Sequence, residues 1–167
     1  MLEAHKWESP DRLLTVYLPI RVLKKICRLC THHLNTETGG ILVGQYSADG
    51  RIAKILNAYP PPNDSVFGKW WFVRGTIGLA VKLIQLWESK NRQYYIGEWH
   101  YHPSCDVSPS DTDIQQMIAI ANSNNYKCDK PILLIIGPKG TSFPPAVSIT
   151  VFPNASAPIV LSLPPAT

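Results

Sequence analysis

The segment GEWHYHPSCDVSPSDTD (97–113) joins a predicted strand to a predicted helix, and it limits how the chain can fold around it. The strand covers residues 94–101, and Pro103 ends its pairing because proline has no N–H to donate to a ladder. Since side chains alternate along a strand, His100 and His102 point to the same face. The sheet must therefore carry two imidazoles at the end of one strand.

The helix that follows has two possible starts. Ser108 can cap it, with Pro109 at its first position and Asp111 completing a capping box. Alternatively, Ser110 is the N-cap and Asp113 is its acidic partner. In both cases Ser110 and Asp113 share one helical face. If the loop folds this face over the histidines, two imidazoles and one carboxylate form the ligand set of a catalytic zinc, with a fourth position open.

A zinc hydrolase also needs a residue that carries a proton close to the bound water. Glu37 lies in ETGGILVG, at the start of an apolar strand, where Gly39 and Gly40 let another backbone approach closely. We therefore predict that Glu37 carries the proton. Glu98 is the alternative, because it shares the strand face of His100, although it lies further down the strand.

Length and composition predict a single globular domain. The chain has 167 residues, 45% of them hydrophobic and 17% charged, and we place the domain at 1–152 with 153–167 as a tail or edge segment. The net charge of +4 is dispersed, so nucleic acid is not an expected partner. The longest apolar run, 132–136, is far shorter than the roughly 20 residues of a membrane helix. The N-terminus has no apolar signal segment, so we expect a cytoplasmic protein without a membrane partner.

Hydrophobic periodicity and turn residues predict the remaining elements. The predicted strands are 13–18, 40–46, 51–59, 94–101, 131–136 and 146–152. The predicted helices are 19–33, 76–90 and a third, after the histidine loop, marked by Ile114, Met117, Ile118 and Ala121. One apolar face of helix 76–90, expected to pack on the sheet, comprises Ile77, Ala80, Val81, Ile84 and Trp87. Strands and helices mix without a regular βαβ repeat, which predicts an α+β or mixed three-layer α/β/α fold.

The cysteines do not suggest a second metal site. Cys27 and Cys30 recur with apolar residues at helical spacing, so we expect buried, inert thiols there. Cys105 lies between His102 and Ser110. A plain loop residue is the favoured interpretation for it, over a removable fourth zinc ligand or an oxidation-sensitive thiol.

The residues singled out above resemble a known signature. Glu37 in ETGGILVG, followed by His100-x-His102, Ser110 and Asp113, is similar to the JAMM motif of the JAB/MPN metalloproteases. The resemblance spans about residues 13–152. It implies a fold similar to cytidine deaminase, with a central mixed β-sheet flanked by helices.

The resemblance also implies a function. JAMM enzymes are zinc isopeptidases that cut ubiquitin or ubiquitin-like proteins from their targets. One Zn²⁺ per chain would be bound by His100, His102 and Asp113. Glu37 would act as general base and then acid, and Ser110 would hydrogen-bond the oxyanion. Within the bacterial branch, the chain is most similar to the JAB deconjugating peptidase of CBASS antiphage operons. That similarity implies a conjugated CD-NTase as substrate and an E1/E2-like conjugating system as a further partner.

Other functions remain open from the sequence. A JAMM hydrolase that matures sulfur-carrier proteins and a RadC-like DNA-repair protein share parts of the motif, and some MPN domains are scaffolds without zinc. The complete motif argues against a scaffold. Substrate binding is predicted on the aromatic loop 63–75, through Phe67, Lys69 and Arg74, because aromatic and arginine side chains often anchor interfaces.

Overall fold

The computed structural model describes residues 3–104, 106–138, 140 and 143–164. These residues form three α-helices, an eight-stranded sheet and a separate two-stranded hairpin. The elements are β1 (Ala4–Glu8), β2 (Thr15–Pro19), α1 (Ile20–Leu29), β3 (Thr38–Tyr46), β4 (Ile52–Ala58), β5 (Val66–Phe67), β6 (Phe72–Val73), α2 (Leu79–Glu88), β7 (Tyr94–Tyr101), α3 (Asp111–Ala121), β8 (Ile132–Ile136), β9 (Val147–Val151) and β10 (Ile159–Leu161). A short 3₁₀ turn, Cys30–His32, follows α1.

The large sheet is mixed, as predicted. Its strand order is β1-β2-β4-β3-β7-β8-β9-β10, in which the pairs β2–β4 and β7–β8 are parallel and the others antiparallel. The strands that carry the motif, β3 and β7, therefore lie next to each other in the middle of the sheet. Every residue of β8 is buried, as expected for a strand covered on both faces.

Helices cover both faces of this sheet. Helix α1 buries Val22, Leu23 and Ile26 in a core that includes Trp99 of β7. On the opposite face α3 contributes Met117, and α2 packs against the same cluster. The three-layer α/β/α prediction is confirmed, and the histidines lie on the α3 side because they alternate with Trp99.

Strand β1 is missing from the predicted elements. Its sequence, AHKWE, is short and half charged, so it has little of the pattern typical of a strand. It forms through antiparallel pairing with β2, which buries Trp7. At the other edge of the sheet, β10 pairs with β9, and a bridge joins Glu8, the last residue of β1, to Ser162, which directly follows β10. In the part of the chain that is described, no helix has both the length and the apolar content to cross a membrane.

The prediction of which face of α2 packs on the sheet is wrong. Ile77, Val81, Ile84 and Trp87 are 71%, 61%, 56% and 51% exposed. The side chains that pack against the sheet are Leu79, Leu83 and Leu86. Because LAVKLIQLWE is apolar around most of its circumference, its periodicity does not determine which face the sheet will cover.

The orientation of α2 can be tested by comparing two neighbouring residues. Leu83→Ala should lower the free energy of unfolding by about 1–3 kcal/mol, since it removes packing from a partly buried side chain. Ile84→Ala should change it by no more than about 0.5 kcal/mol, because that side chain is mostly exposed. Urea denaturation of both variants measures the difference. A larger loss in Ile84→Ala would contradict the orientation described here.

Candidate metal centre

Three buried side chains meet where β7 ends and α3 begins. His100 is in β7, His102 follows the strand directly, and Asp113 lies in the first turn of α3. One ligand atom from each lies within 4.8 Å of the others, and this is the cluster of potential metal ligands found among the described residues. Two imidazole nitrogens and one carboxylate oxygen are donor types that zinc accepts.

The ring of His102 is oriented so that one nitrogen is left for a ligand. Its Nδ1 lies 3.2 Å from the backbone oxygen of Asp106. A carbonyl oxygen only accepts, so Nδ1 carries the proton, and Nε2 of the neutral ring holds a lone pair. That Nε2 is buried without a hydrogen-bond partner, 3.5 Å from Asp113 Oδ2. A buried, unpartnered acceptor beside a carboxylate fits a metal ion.

His100 lies between two carboxylates. Its Nδ1 is 2.7 Å from Asp113 Oδ1, and its Nε2 is 3.6 Å from Glu98 Oε2. Phe72 of the hairpin contacts the ring edge-on, with centroids 5.7 Å apart. Burial by itself lowers the pKa of His100, but the hydrogen bond to Asp113 and the nearby carboxylate of Glu98 raise it to about 9. Without a metal, the ring therefore holds a proton at neutral pH.

Asp113 both caps its helix and faces the histidines. The N–H and the hydroxyl of Ser110 donate to Asp113 Oδ2 at 2.8 and 2.7 Å, and the Asp113 N–H donates to Ser110 Oγ at 3.2 Å. Ser110 is therefore the N-cap, and the predicted cap at Ser108 is wrong. Although burial opposes its charge, the hydrogen bond from His100 and the nearby ring of His102 hold the pKa of Asp113 well below its usual range.

Glu37 approaches the same centre from β3. Thr38 pairs with Tyr101 and Gly39 with His100, so Glu37, one residue before β3, continues this register toward His102. A Cβ on Gly39 would lie 2.8 Å from His100 Cδ2, which explains why glycine is needed there. Burial raises the pKa of Glu37, Asp113 raises it further, and the two histidines oppose that effect.

Glu98 and Arg74 form a buried ion pair behind His100. Arg74 Nε lies 2.9 Å from Glu98 Oε1, and the Glu98 side chain is fully buried. Burial alone would raise the pKa of Glu98, but the nearby ring of His100 and the charge of Arg74 lower it. The buried guanidinium of Arg74 cannot reach a substrate, which corrects its predicted role in substrate binding. A carboxylate enclosed in this way also fits poorly as an alternative proton carrier.

The other predicted substrate-binding side chains lie at the surface of the hairpin. Phe67 stacks on Phe72, with centroids 5.6 Å apart, and is 37% exposed. Lys69 is exposed and holds its ammonium 4.8 Å from the ring of Trp70. Lys69 borders a groove of about 380 Å³, whose described lining residues are Leu34, Asn35, Lys69, Trp70, Pro103 and Ser104.

Two groups that contact the histidine rings could not be found from the sequence. Phe72 and the carbonyl of Asp106 have no sequence signal for contact with a histidine. Cys30 is buried, and burial raises the pKa of its thiol to about 12, as expected for an inert cysteine. Cys105 lies outside the described residues, so its predicted role stays a prediction.

Comparisons with known proteins agree with the motif. The profile of the family described as prokaryotic homologs of the JAB domain matches residues 19–149. A protein of Enterobacter hormaechei subsp. hoffmannii named CD-NTase/cGAS isopeptidase is 36% identical over 157 residues, which cover 93% of this chain and 84% of that protein. A protein of the same name from Escherichia coli is 31% identical over 110 residues, 65% of this chain and 67% of that protein.

A solved structure agrees with the fold. The solution structure of protein DSY2949 from Desulfitobacterium hafniense matches with a TM-score of 0.56, over 84% of this chain and 85% of that chain. The two sequences are 17% identical, so this similarity concerns the fold alone.

The protonated state of His100 predicts a pH dependence for the metal-free protein. A pKa raised from 6.5 to about 9 contributes stability that is complete below pH 6.5 and is lost as the pH rises through 9. In the presence of a chelator, the free energy of unfolding should fall between pH 6.5 and 9 by up to roughly 3 kcal/mol. His100→Gln cannot titrate there and should lose less. Equal pH profiles for the two proteins would contradict this prediction.

Proposed function

Because this chain belongs to the family of prokaryotic JAB-domain proteins, we propose that it is a zinc-dependent isopeptidase that releases a CD-NTase-type protein from its conjugates. The observation that carries the chemistry is the buried cluster of His100, His102 and Asp113, with Glu37 opposite it. The relatives' names supply the substrate class. The proposed setting is CBASS antiphage defence in the bacterial cytoplasm.

The proposed metal ligands are His100, His102 and Asp113. When bound, zinc lowers the pKa of a coordinated water and polarises a carbonyl oxygen. The protein's contribution is to hold the donors in place: the Asp106 carbonyl orients His102, and the capping box orients Asp113. Since β7 and the first turn of α3 are regular elements, the donors sit on a rigid frame.

Glu37 is the proposed proton carrier. In the proposed reaction its carboxylate takes a proton from the attacking water and returns it to the leaving amine as the amide bond breaks. Its raised pKa suits both steps, because a general acid–base catalyst works best when its pKa lies closer to the working pH. The antiparallel pairing of β3 with β7, which begins one residue after Glu37, supports a place for Glu37 on the histidine face, where we propose that it acts without being a ligand.

Ser110 is the proposed donor to the oxyanion. A hydroxyl already placed beside the reacting carbonyl stabilises the negative charge that develops in the transition state. In the structure the Ser110 hydroxyl donates to Asp113 Oδ2. Donation to an oxyanion therefore requires this hydroxyl to rotate, while the Ser110 N–H keeps its own bond to Asp113.

The groove beside the hairpin is the proposed path of the substrate's C-terminal tail. It begins next to the metal centre, because Pro103 and Ser104 directly follow His102. A volume of about 380 Å³ suits a few residues of an extended chain rather than a folded domain. Lys69 and Trp70 offer a charge and an apolar surface at its edge, and the proposed substrate contacts are now Phe67 and Lys69.

Metal binding should depend on both histidines. The double variant His100→Ala/His102→Ala should purify with little zinc and should not cleave a reporter joined by its lysine to the C-terminus of a CD-NTase. Zinc content by mass spectrometry and cleavage by gel electrophoresis measure the two effects. Parent-like zinc content together with parent-like cleavage would refute the proposed centre.

Replacing Glu37 should separate zinc binding from catalysis. Glu37→Gln keeps the size of the side chain but cannot accept the proton, so kcat should fall by about 10² to 10⁴-fold while zinc content stays at one per chain. The same cleavage assay measures kcat, and the double histidine variant is the control that loses both properties. A Glu37→Gln protein with parent-like kcat would exclude Glu37 as the proton carrier.

A further inference from the structure

The two ring nitrogens of His100 face different carboxylates. Nδ1 lies 2.7 Å from Asp113 Oδ1, on the side of the proposed metal centre. Nε2 points away from it, 3.6 Å from Glu98 Oε2. Both Nε2 and Oε2 are buried and have no hydrogen-bond partner, although each could satisfy the other. Two unpartnered buried atoms that face each other are costly unless another state of the protein brings them into contact.

The Glu98 carboxylate is held firmly on its other side. Its Oε1 accepts from Arg74 Nε at 2.9 Å and from the Tyr95 hydroxyl at 3.2 Å. The guanidinium is fixed in turn, because it also donates to Gly75 O at 2.9 Å and to the Tyr126 hydroxyl at 2.7 Å. These bonds leave Oε2 as the oxygen that is free to meet His100.

Stability alone is a poor explanation for this buried pair. Taking two charges out of water costs several kcal/mol for each ion, and well-packed apolar side chains in the same volume are often as stable. The Arg74 and Glu98 side chains are only 3% and 0% exposed, so neither charge keeps its hydration. The buried pair is better explained by the contact that Glu98 Oε2 can make with His100.

We propose that Glu98, held by Arg74, is a positioning residue that fixes the ring of His100 for metal binding. In this arrangement His100 donates Nε2–H to Glu98 and presents Nδ1 to the metal ion. The proposal rests on the zinc centre proposed above. Histidines that bind metals almost always donate their second N–H to a carboxylate or a carbonyl, which sets the tautomer and increases the basicity of the ligand. His102 has such a partner in the Asp106 carbonyl.

The distance between His100 and Glu98 must shorten for this role. At 3.6 Å the two atoms lie beyond a normal hydrogen bond, which requires about 2.7–3.2 Å. A small rotation of the His100 ring as the ion binds would close the gap, because the clamped carboxylate does not have to move. His102 would then donate its second N–H to the neutral carbonyl of Asp106, and His100 would donate its second N–H to the anionic carboxylate of Glu98.

The test removes the pair without leaving a charge unpaired. Glu98→Leu/Arg74→Met fills the space with apolar atoms and should keep the thermal midpoint of the metal-free protein close to that of the parent. Its zinc affinity, measured by competition with a chelator, should fall by about 10 to 100-fold. Glu98→Gln/Arg74→Met restores an acceptor for Nε2–H and should recover part of that loss.

A remote ion pair provides the matched control. Lys6 and Glu8 lie 2.6 Å apart on β1 at the edge of the sheet. Lys6→Met/Glu8→Leu likewise replaces a cation by methionine and a carboxylate by leucine, and it should leave zinc affinity unchanged. If Glu98→Leu/Arg74→Met folds and binds zinc with parent affinity, Glu98 has no positioning role. If instead the double histidine variant keeps parent zinc affinity, the zinc centre itself is refuted.

A second measurement needs no variant and so does not depend on folding of the substituted protein. In the zinc-loaded parent, nitrogen-15 spectra of the histidine side chains should find the proton of His100 on Nε2 and that of His102 on Nδ1. The opposite tautomer of His100, with Nδ1 protonated and Nε2 bound to zinc, would overturn the proposal. The absorption spectrum of the cobalt-substituted parent and of Glu98→Leu/Arg74→Met should also differ, since the ligand field depends on the orientation of the ring.

Discussion

The close approach of β3 to β7 is the constraint on which the site depends. Gly39 pairs with His100, and a Cβ at that position would lie 2.5 Å from the Trp99 carbonyl oxygen and 2.8 Å from His100 Cδ2. Only a strand without a side chain at this position can pair so closely with a strand that carries an imidazole. The same register brings Glu37 toward His102, so one pair of strands brings together two side chains that are distant in sequence.

Asp113 connects the paired strands β3 and β7 to helix α3. Its two carboxylate oxygens make different contacts. Oδ2 accepts from the backbone and hydroxyl of Ser110, which closes the first turn of α3, while Oδ1 faces His100. The helix cap and the carboxylate that faces the histidines are therefore one side chain. Any substitution of Asp113 must affect both the start of the helix and the charge at the centre, whereas the histidines belong only to the site.

The contacts between residues close in sequence could be predicted from the sequence, and the contacts between distant elements could not. Alternation along β7 places His100 and His102 on one face, because strand parity is a property of neighbours. The side of α2 that packs was mispredicted, since Leu83 and Ile84 are both apolar and only the sheet selects between them. Arg74 looked like a surface anchor because its partner, Glu98, lies 24 residues away and on another element.

The balance of charge explains why the charged groups around His100, which come from distant parts of the sequence, lie together. Around His100 lie two carboxylates, Glu98 and Asp113, and one guanidinium, Arg74, so a neutral imidazole leaves the buried cluster with one excess negative charge. An uncompensated buried charge is costly, and the protein can remove the excess by protonating His100 or by binding a cation. The raised pKa of His100 corresponds to the first of these, protonation of the ring. The second solution would exchange that proton for a metal ion, so the geometry that holds the proton would also suit a bound metal.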